Sequence, residues 1–98
     1  MSTFVLLTKL SPASIGDSGT RENFGREWFE EVKQKCPEVK WMHHFALLGS
    51  YDFMDIYEAP NEETAARVSM ITMSQGAVSA ESMSAIPYQR YLEIIKGI

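Results

Sequence analysis

His43 and His44 are the only histidines in this chain, and with Asp55 they are the residues whose types could do chemistry. A carboxylate that holds an imidazole orients it and raises its basicity, so such a pair could move a proton or bind a polar ligand group. A satisfied buried pair has the same geometry without catalysing anything. Either outcome requires the fold to bring two positions that are distant along the chain face to face. Met42, Tyr51, Phe53 and Tyr57 lie nearby in sequence and could wall the pair in an apolar pocket. Gly49, Tyr51 and Asp52 form a second group with a structural account. Gly49 permits a turn, Tyr51 packs at a strand start, and Asp52 accepts hydrogen bonds from loop or helix-end amides. In a functional role Asp52 would help form a ligand or oligomer contact.

Other chemistries find less support. Cys36 is the only cysteine, so one chain has neither an internal disulfide nor a cysteine-based zinc site, and a reducing, cytoplasmic setting is expected. Its place at a helix end, just before Pro37, argues against a nucleophilic thiolate. Adjacent His43 and His44 point to opposite sides of a strand, so they are not a two-ligand metal motif, and no metal or cofactor is expected. With 9 basic against 13 acidic residues the net charge is -4, which provides no general attraction for nucleic acid or anionic membrane. The opening apolar run, Phe4 to Leu7, is too short for a membrane span and has no basic flank to make it a signal peptide.

The length of 98 residues, with 45% hydrophobic and 22% charged, predicts one globular domain over 1–98. Phe4 to Leu10 reads as a central strand, apolar almost throughout. Ser11-Pro12 could cap a brief helical turn ahead of a Gly16-Asp17-Ser18-Gly19 loop. From about Thr20, residues Phe24, Trp28, Val32 and Cys36 recur every fourth position with Phe29 beside them, which makes an amphipathic helix that Pro37 stops. Gly25 inside it costs roughly 1 kcal/mol against alanine. Two β-type runs, Val39 to Leu48 and Tyr51 to Ala59, flank Gly49-Ser50 and predict a tight hairpin. Asn61 caps a second helix with Glu62 and Glu63 in its first turn. That helix runs to Gln75 and ends at Gly76, with Met70 and Met73 as core or interface fillers. Ala77 to Ile86 is the fourth strand. Residues 88–98 form a tail in which Tyr91, Leu92 and Ile95 have helical spacing suited to docking, on a partner subunit for example.

Strand, helix, strand, strand, helix, strand is the ferredoxin-like β-α-β-β-α-β order, an α+β fold whose four-stranded antiparallel sheet carries both helices on one face. The other face must find a cover, and a second copy of the chain is the expected partner. With Gly49 and Ser50 as the two turn residues, opposed positions sum to 99. Met42, His44, Ala46 and Leu48 then share a face with Tyr57, Asp55, Phe53 and Tyr51, while Trp41, His43, Phe45 and Leu47 share the other with Glu58, Ile56, Met54 and Asp52. The second set is more aliphatic and is assigned to the helices. The first, with His44 opposite Asp55, is assigned to the open face. Ser79, Glu81, Met83 and Ala85 share one side of the fourth strand, which the sequence does not place.

The stretches Thr3-Phe4-Val5-Leu6-Leu7-Thr8-Lys9-Leu10, Ala46-Leu47-Leu48-Gly49-Ser50-Tyr51-Asp52-Phe53 and Asp55-Ile56-Tyr57-Glu58-Ala59-Pro60 closely resemble the GYD-domain family of small bacterial and archaeal proteins. The resemblance covers almost the whole chain, with Gly49, Tyr51 and Asp52 as the signature and Ser50 as its variable position. It implies a ferredoxin-like protein that assembles as a dimeric α+β barrel and leaves activity open. Related Lrp/AsnC-type effector domains are similar in carrying such a turn near their ligand site.

Three readings of function follow. The first is a non-enzymatic homo-oligomer whose barrel interior binds a small apolar molecule with one polar group, contacted by His44 and Asp55 and walled by Met42, Tyr51, Phe53 and Tyr57. The second is a cofactor-independent monooxygenase or isomerase in which His44 and Asp55 are catalytic. The third is a structural or interaction module without a ligand.

Overall fold

A computed structural model describes residues 1–12 and 18–98. Strand β1 (Ser2–Leu10) leads to helix α1 (Ser18–Lys35), the hairpin of β2 (Lys40–Ala46) and β3 (Phe53–Ala59), helix α2 (Glu62–Ser74), strand β4 (Ala77–Ala85) and helix α3 (Tyr88–Lys96). The sheet order is β2-β3-β1-β4 and every neighbouring pair is antiparallel, which is the expected ferredoxin-like arrangement. Most of the turn expected between Ser11 and Gly19 lies outside the described residues. Ser18 and Gly19 are already helical, two positions before the predicted start of α1.

Local signals act as expected at several boundaries. The Asn61 side chain accepts the Thr64 N–H at 2.9 Å and caps α2, with Glu62 and Glu63 in the first turn. Gly76 ends the helix at φ 113°, and Gly49 turns the hairpin at φ 141°, both in the left-handed region where a side chain is strained. The hairpin loop is wider than predicted. The strands end at Ala46 and begin again at Phe53, and Leu47 N–H donates to the Asp52 carbonyl at 2.9 Å, which leaves Leu48 to Tyr51 as the loop.

The core lies between the helices and one sheet face. Phe4 and Leu6 of β1, Tyr57 and Ala59 of β3 and Ala80 of β4 meet Trp28 and Val32 of α1, Cys36 just after it, and Ala65, Val68 and Ile71 of α2. Asp55 and Thr8 are buried on the same side. This reverses the face assignment from composition. The Tyr57, Asp55, Phe53 and His44 set faces the helices, and Phe45, Met54 and Ile56 lie on the open side with Val5, Leu7 and Met83. Strand alternation separates two faces but does not label them, and β1, apolar on both, cannot break the tie. The large rings are needed to span the gap to the helices.

Register follows the expected sum of 99 from Ala46–Phe53 to His43–Ile56, then slips: Trp41 pairs with Tyr57 and Lys40 with Glu58. Met42 is the extra residue of a β-bulge. The bulge moves Trp41 onto the face of His44 although the two differ by three positions. Trp41 then packs against Trp28 at 5.2 Å and Tyr57 at 5.1 Å between ring centroids.

Helix α3 has no buried residue. The radius of gyration, 14.7 Å, exceeds the value near 13 Å of a compact chain this long, and the longest dimension is 50 Å. Among the described residues no helix is long and apolar enough to cross a membrane.

Candidate functional site: a cleft beside His44 and Asp55

Strands β2 and β3 place His44 directly opposite Asp55, and His44 Nδ1 lies 2.5 Å from Asp55 Oδ1. The carboxylate is almost wholly buried, with 3% of its side chain exposed, while 60% of the imidazole side chain remains accessible. The hydrogen bond to Asp55 raises the His44 pKa above its ordinary value, outweighing the opposite pull of partial burial. Asp55 takes up Nδ1, so among the described residues Nε2 has no protein partner. It can donate a proton when the ring is charged and accept one when it is neutral.

Two rings stack on the imidazole, Trp28 of α1 at 6.2 Å and Phe53 of β3 at 5.5 Å, with interplanar angles of 24° and 23°. Trp28 is itself anchored, because its indole N–H donates to Thr72 Oγ1 of α2 at 2.8 Å. The helix packed against His44 thus belongs to the same chain, and most of the imidazole stays accessible beside it.

Next to the pair lies a cleft of about 450 Å³, lined by Gly25, Trp28, Phe29, Trp41, Met42, His43, His44 and Asp55. A smaller hollow of about 30 Å³ shares Gly25, Trp28, His44 and Asp55 with the cleft and is lined further by Thr8, Phe24, Phe53 and Thr72. Gly25 borders both, and a Cβ built there would meet nothing within 4 Å.

The residues expected to wall the pair separate in space. Met42 reaches the cleft from its bulge and Phe53 the hollow. Tyr57 lies inside the core with no exposed surface, stacked on Phe4 and sharing a hydrogen bond with the Ser82 hydroxyl. Tyr51 turns away and donates from its hydroxyl to Glu81 Oε2 at 2.5 Å, and that bond and the glutamate charge raise its pKa. Because His44 and Asp55 face the helices, they do not point into a space between two paired sheets, where the barrel reading puts them.

Gly49 and Asp52 sit at the hairpin end. Asp52 Oδ2 accepts the Leu10 N–H at 2.7 Å, and Asp52 N–H donates to the Thr8 carbonyl at 2.8 Å, so the loop is bonded to the end of β1. Glu81 and Met83 lie on the open face, opposite Leu7 and Val5. Cys36 is buried, and burial raises its thiol pKa.

Trp28, Phe29, Trp41 and Gly25 line the cleft without having been expected there. Trp28 and Phe29 read as an ordinary core stripe, and Trp41 depends on a bulge that strand alternation does not announce. Gly25, costly inside a helix, is the available signal. Among the described residues no cluster of three or more His, Cys, Asp or Glu could hold a metal ion.

A profile of the family described as GYD domain matches residues 4–95. A Thermus thermophilus protein named glutamine synthetase and cystathionine beta-lyase binding protein is 32% identical over 91 residues, covering 89% of this chain and 90% of that one. The crystal structure of FFRP-DM1 superposes with a TM-score of 0.54 and 22% identity over 88% of this chain and 100% of that chain, a likeness of fold.

Proposed function

The chain belongs to the GYD domain family, and from that premise we propose that it is a self-associating interaction module that docks on other proteins rather than an enzyme. The observation that carries this reading is the uncovered sheet face. Val5, Leu7, Met54 and Ile56 line its centre, with Phe45 and Met83 at 46% exposure toward its edges. An apolar sheet face of this kind is unfavourable in water and marks a contact surface. A second copy presents the same face, so two sheets packed back to back cover both at once and close an α+β barrel whose interior is apolar.

A second apolar surface remains after that pairing. Tyr88, Tyr91, Ile94 and Ile95 are exposed on α3, which stands away from the core. A short amphipathic helix with no buried residue of its own is suited to lie in a groove of another protein. The related protein that is named for binding two enzymes supports assigning this chain a comparable role, with glutamine synthetase and cystathionine beta-lyase as first candidates.

Two measurements test the proposal. Sedimentation at micromolar concentration should give a dimer or larger species. Purified glutamine synthetase or cystathionine beta-lyase from the same source should co-elute with it. A stable monomer that retains neither enzyme would refute the reading. The His44–Asp55 pair favours a second role, small-molecule binding, at the cleft under α1 and away from the sheet pairing.

A further inference from the structure

We propose that the cleft beside His44 is a binding site for a planar, mostly apolar molecule of one or two fused rings with a hydrogen-bond acceptor, such as a carbonyl oxygen, at its edge. Its volume, about 450 Å³, lies within the range of roughly 300–1,000 Å³ usual for small-molecule sites. Trp28, Phe29 and Trp41 supply aromatic walls, which favour a flat ligand by stacking and edge contacts. These walls are set in place before any ligand arrives. Trp28 is tied to Thr72, and Trp41 is wedged between Trp28 and Tyr57.

The polar group is equally prepared. Asp55 takes His44 Nδ1 and the rings of Trp28 and Phe53 stack on the imidazole, so among the described residues Nε2 is left as the partnerless nitrogen of an oriented ring. With Nδ1 bonded to the buried Asp55 carboxylate, Nε2–H is a donor whenever the imidazole is charged, the form that this hydrogen bond favours. The pair as a whole is then neutral, so it selects a neutral or weakly charged acceptor rather than a strong anion.

Gly25 supplies an independent observation. Glycine in a helix interior lowers stability, and no close neighbour requires it here, since a Cβ would meet nothing. What glycine does provide is open space at the border of the cleft and the hollow.

Coumarin, a flat bicyclic lactone, is a suitable probe, with naphthalene as the same shape lacking an acceptor. Titration followed by NMR should move the indole N–H signals of Trp28 and Trp41 and the ring signals of His44 along one saturable curve. His44→Phe combined with Asp55→Leu keeps the stacking, removes the donor and strands no buried carboxylate, so it should weaken coumarin about tenfold and leave naphthalene unchanged. Gly25→Leu fills the space and should abolish binding of both without lowering the melting temperature. Gly25→Ala, the smaller change, should weaken both probes while raising that temperature. No saturable shift at these three rings, or binding that survives Gly25→Leu in folded protein, overturns the proposal. Self-association uses the opposite sheet face and is unaffected by either result.

Discussion

Trp28 donates its indole N–H to Thr72 Oγ1 at 2.8 Å, and both residues are buried, so one hydrogen bond joins the two helices behind the candidate cleft. Thr72 Oγ1 donates in turn to the Val68 carbonyl at 2.7 Å. Thr72→Val keeps the shape and removes the acceptor, leaving a buried indole N–H unpaired. We expect a loss of about 1–3 kcal/mol in urea unfolding with an unchanged slope. An unchanged midpoint would mean that the indole N–H finds water instead.

His44 should titrate above its ordinary value of 6.5 in the folded protein, because Asp55 binds its charged form. In the unfolded chain that bond is absent. The stabilisation it gives is therefore complete below the unfolded pKa and is lost as pH rises through the higher folded value. Water screens an imidazole that is 60% exposed, so the contribution is at most about 1 kcal/mol. Asp55→Asn should bring the His44 titration down when followed by NMR. An unaltered titration would show that the two groups do not interact in solution.

Asp52 holds the hairpin loop to the end of β1 through the Leu10 amide. Asp52→Ala should cost about 1–2 kcal/mol, as expected for a partly buried bond to a charged acceptor. Hydrogen exchange at the Leu10 amide should accelerate beyond what the global loss of stability explains. Equal acceleration at every amide would assign the effect to the whole fold and not to this loop.

The open sheet face and α3 can be separated by variants. Ile56→Lys places a charge in the middle of the apolar face at a position that is only half-buried. It should yield a folded monomer by sedimentation and circular dichroism. Ending the chain after Pro87 removes no buried residue of α3, so the melting temperature should change little while binding to a partner enzyme is lost. Dimer formation unchanged by Ile56→Lys would move the self-contact elsewhere.

Much of the fold is legible in single residues. Pro37 closes α1 at the expected place, Asn61 and Gly76 bracket α2, and Gly49 turns the hairpin, each through a local backbone requirement that needs no distant partner. The His44–Asp55 pairing is legible for a similar reason, since hairpin geometry ties register to the turn even when the loop proves wider than two residues. Less could be read of the walls. Met42 looks like any strand residue, yet as a bulge it turns Trp41 toward the core.

The sequence by itself determined the elements, their order and the opposition of an imidazole to a carboxylate, because caps, turns and strand alternation act over a few residues. Only the tertiary structure decided which sheet face the helices cover, and with it that His44 and Asp55 lie beside Trp28 and not on the uncovered face. Both faces of the sheet bear large apolar groups, so local pattern leaves two near-equal choices. The choice is made by packing: the rings that fill the gap to α1 and α2, and the burial of Asp55 once His44 satisfies its carboxylate.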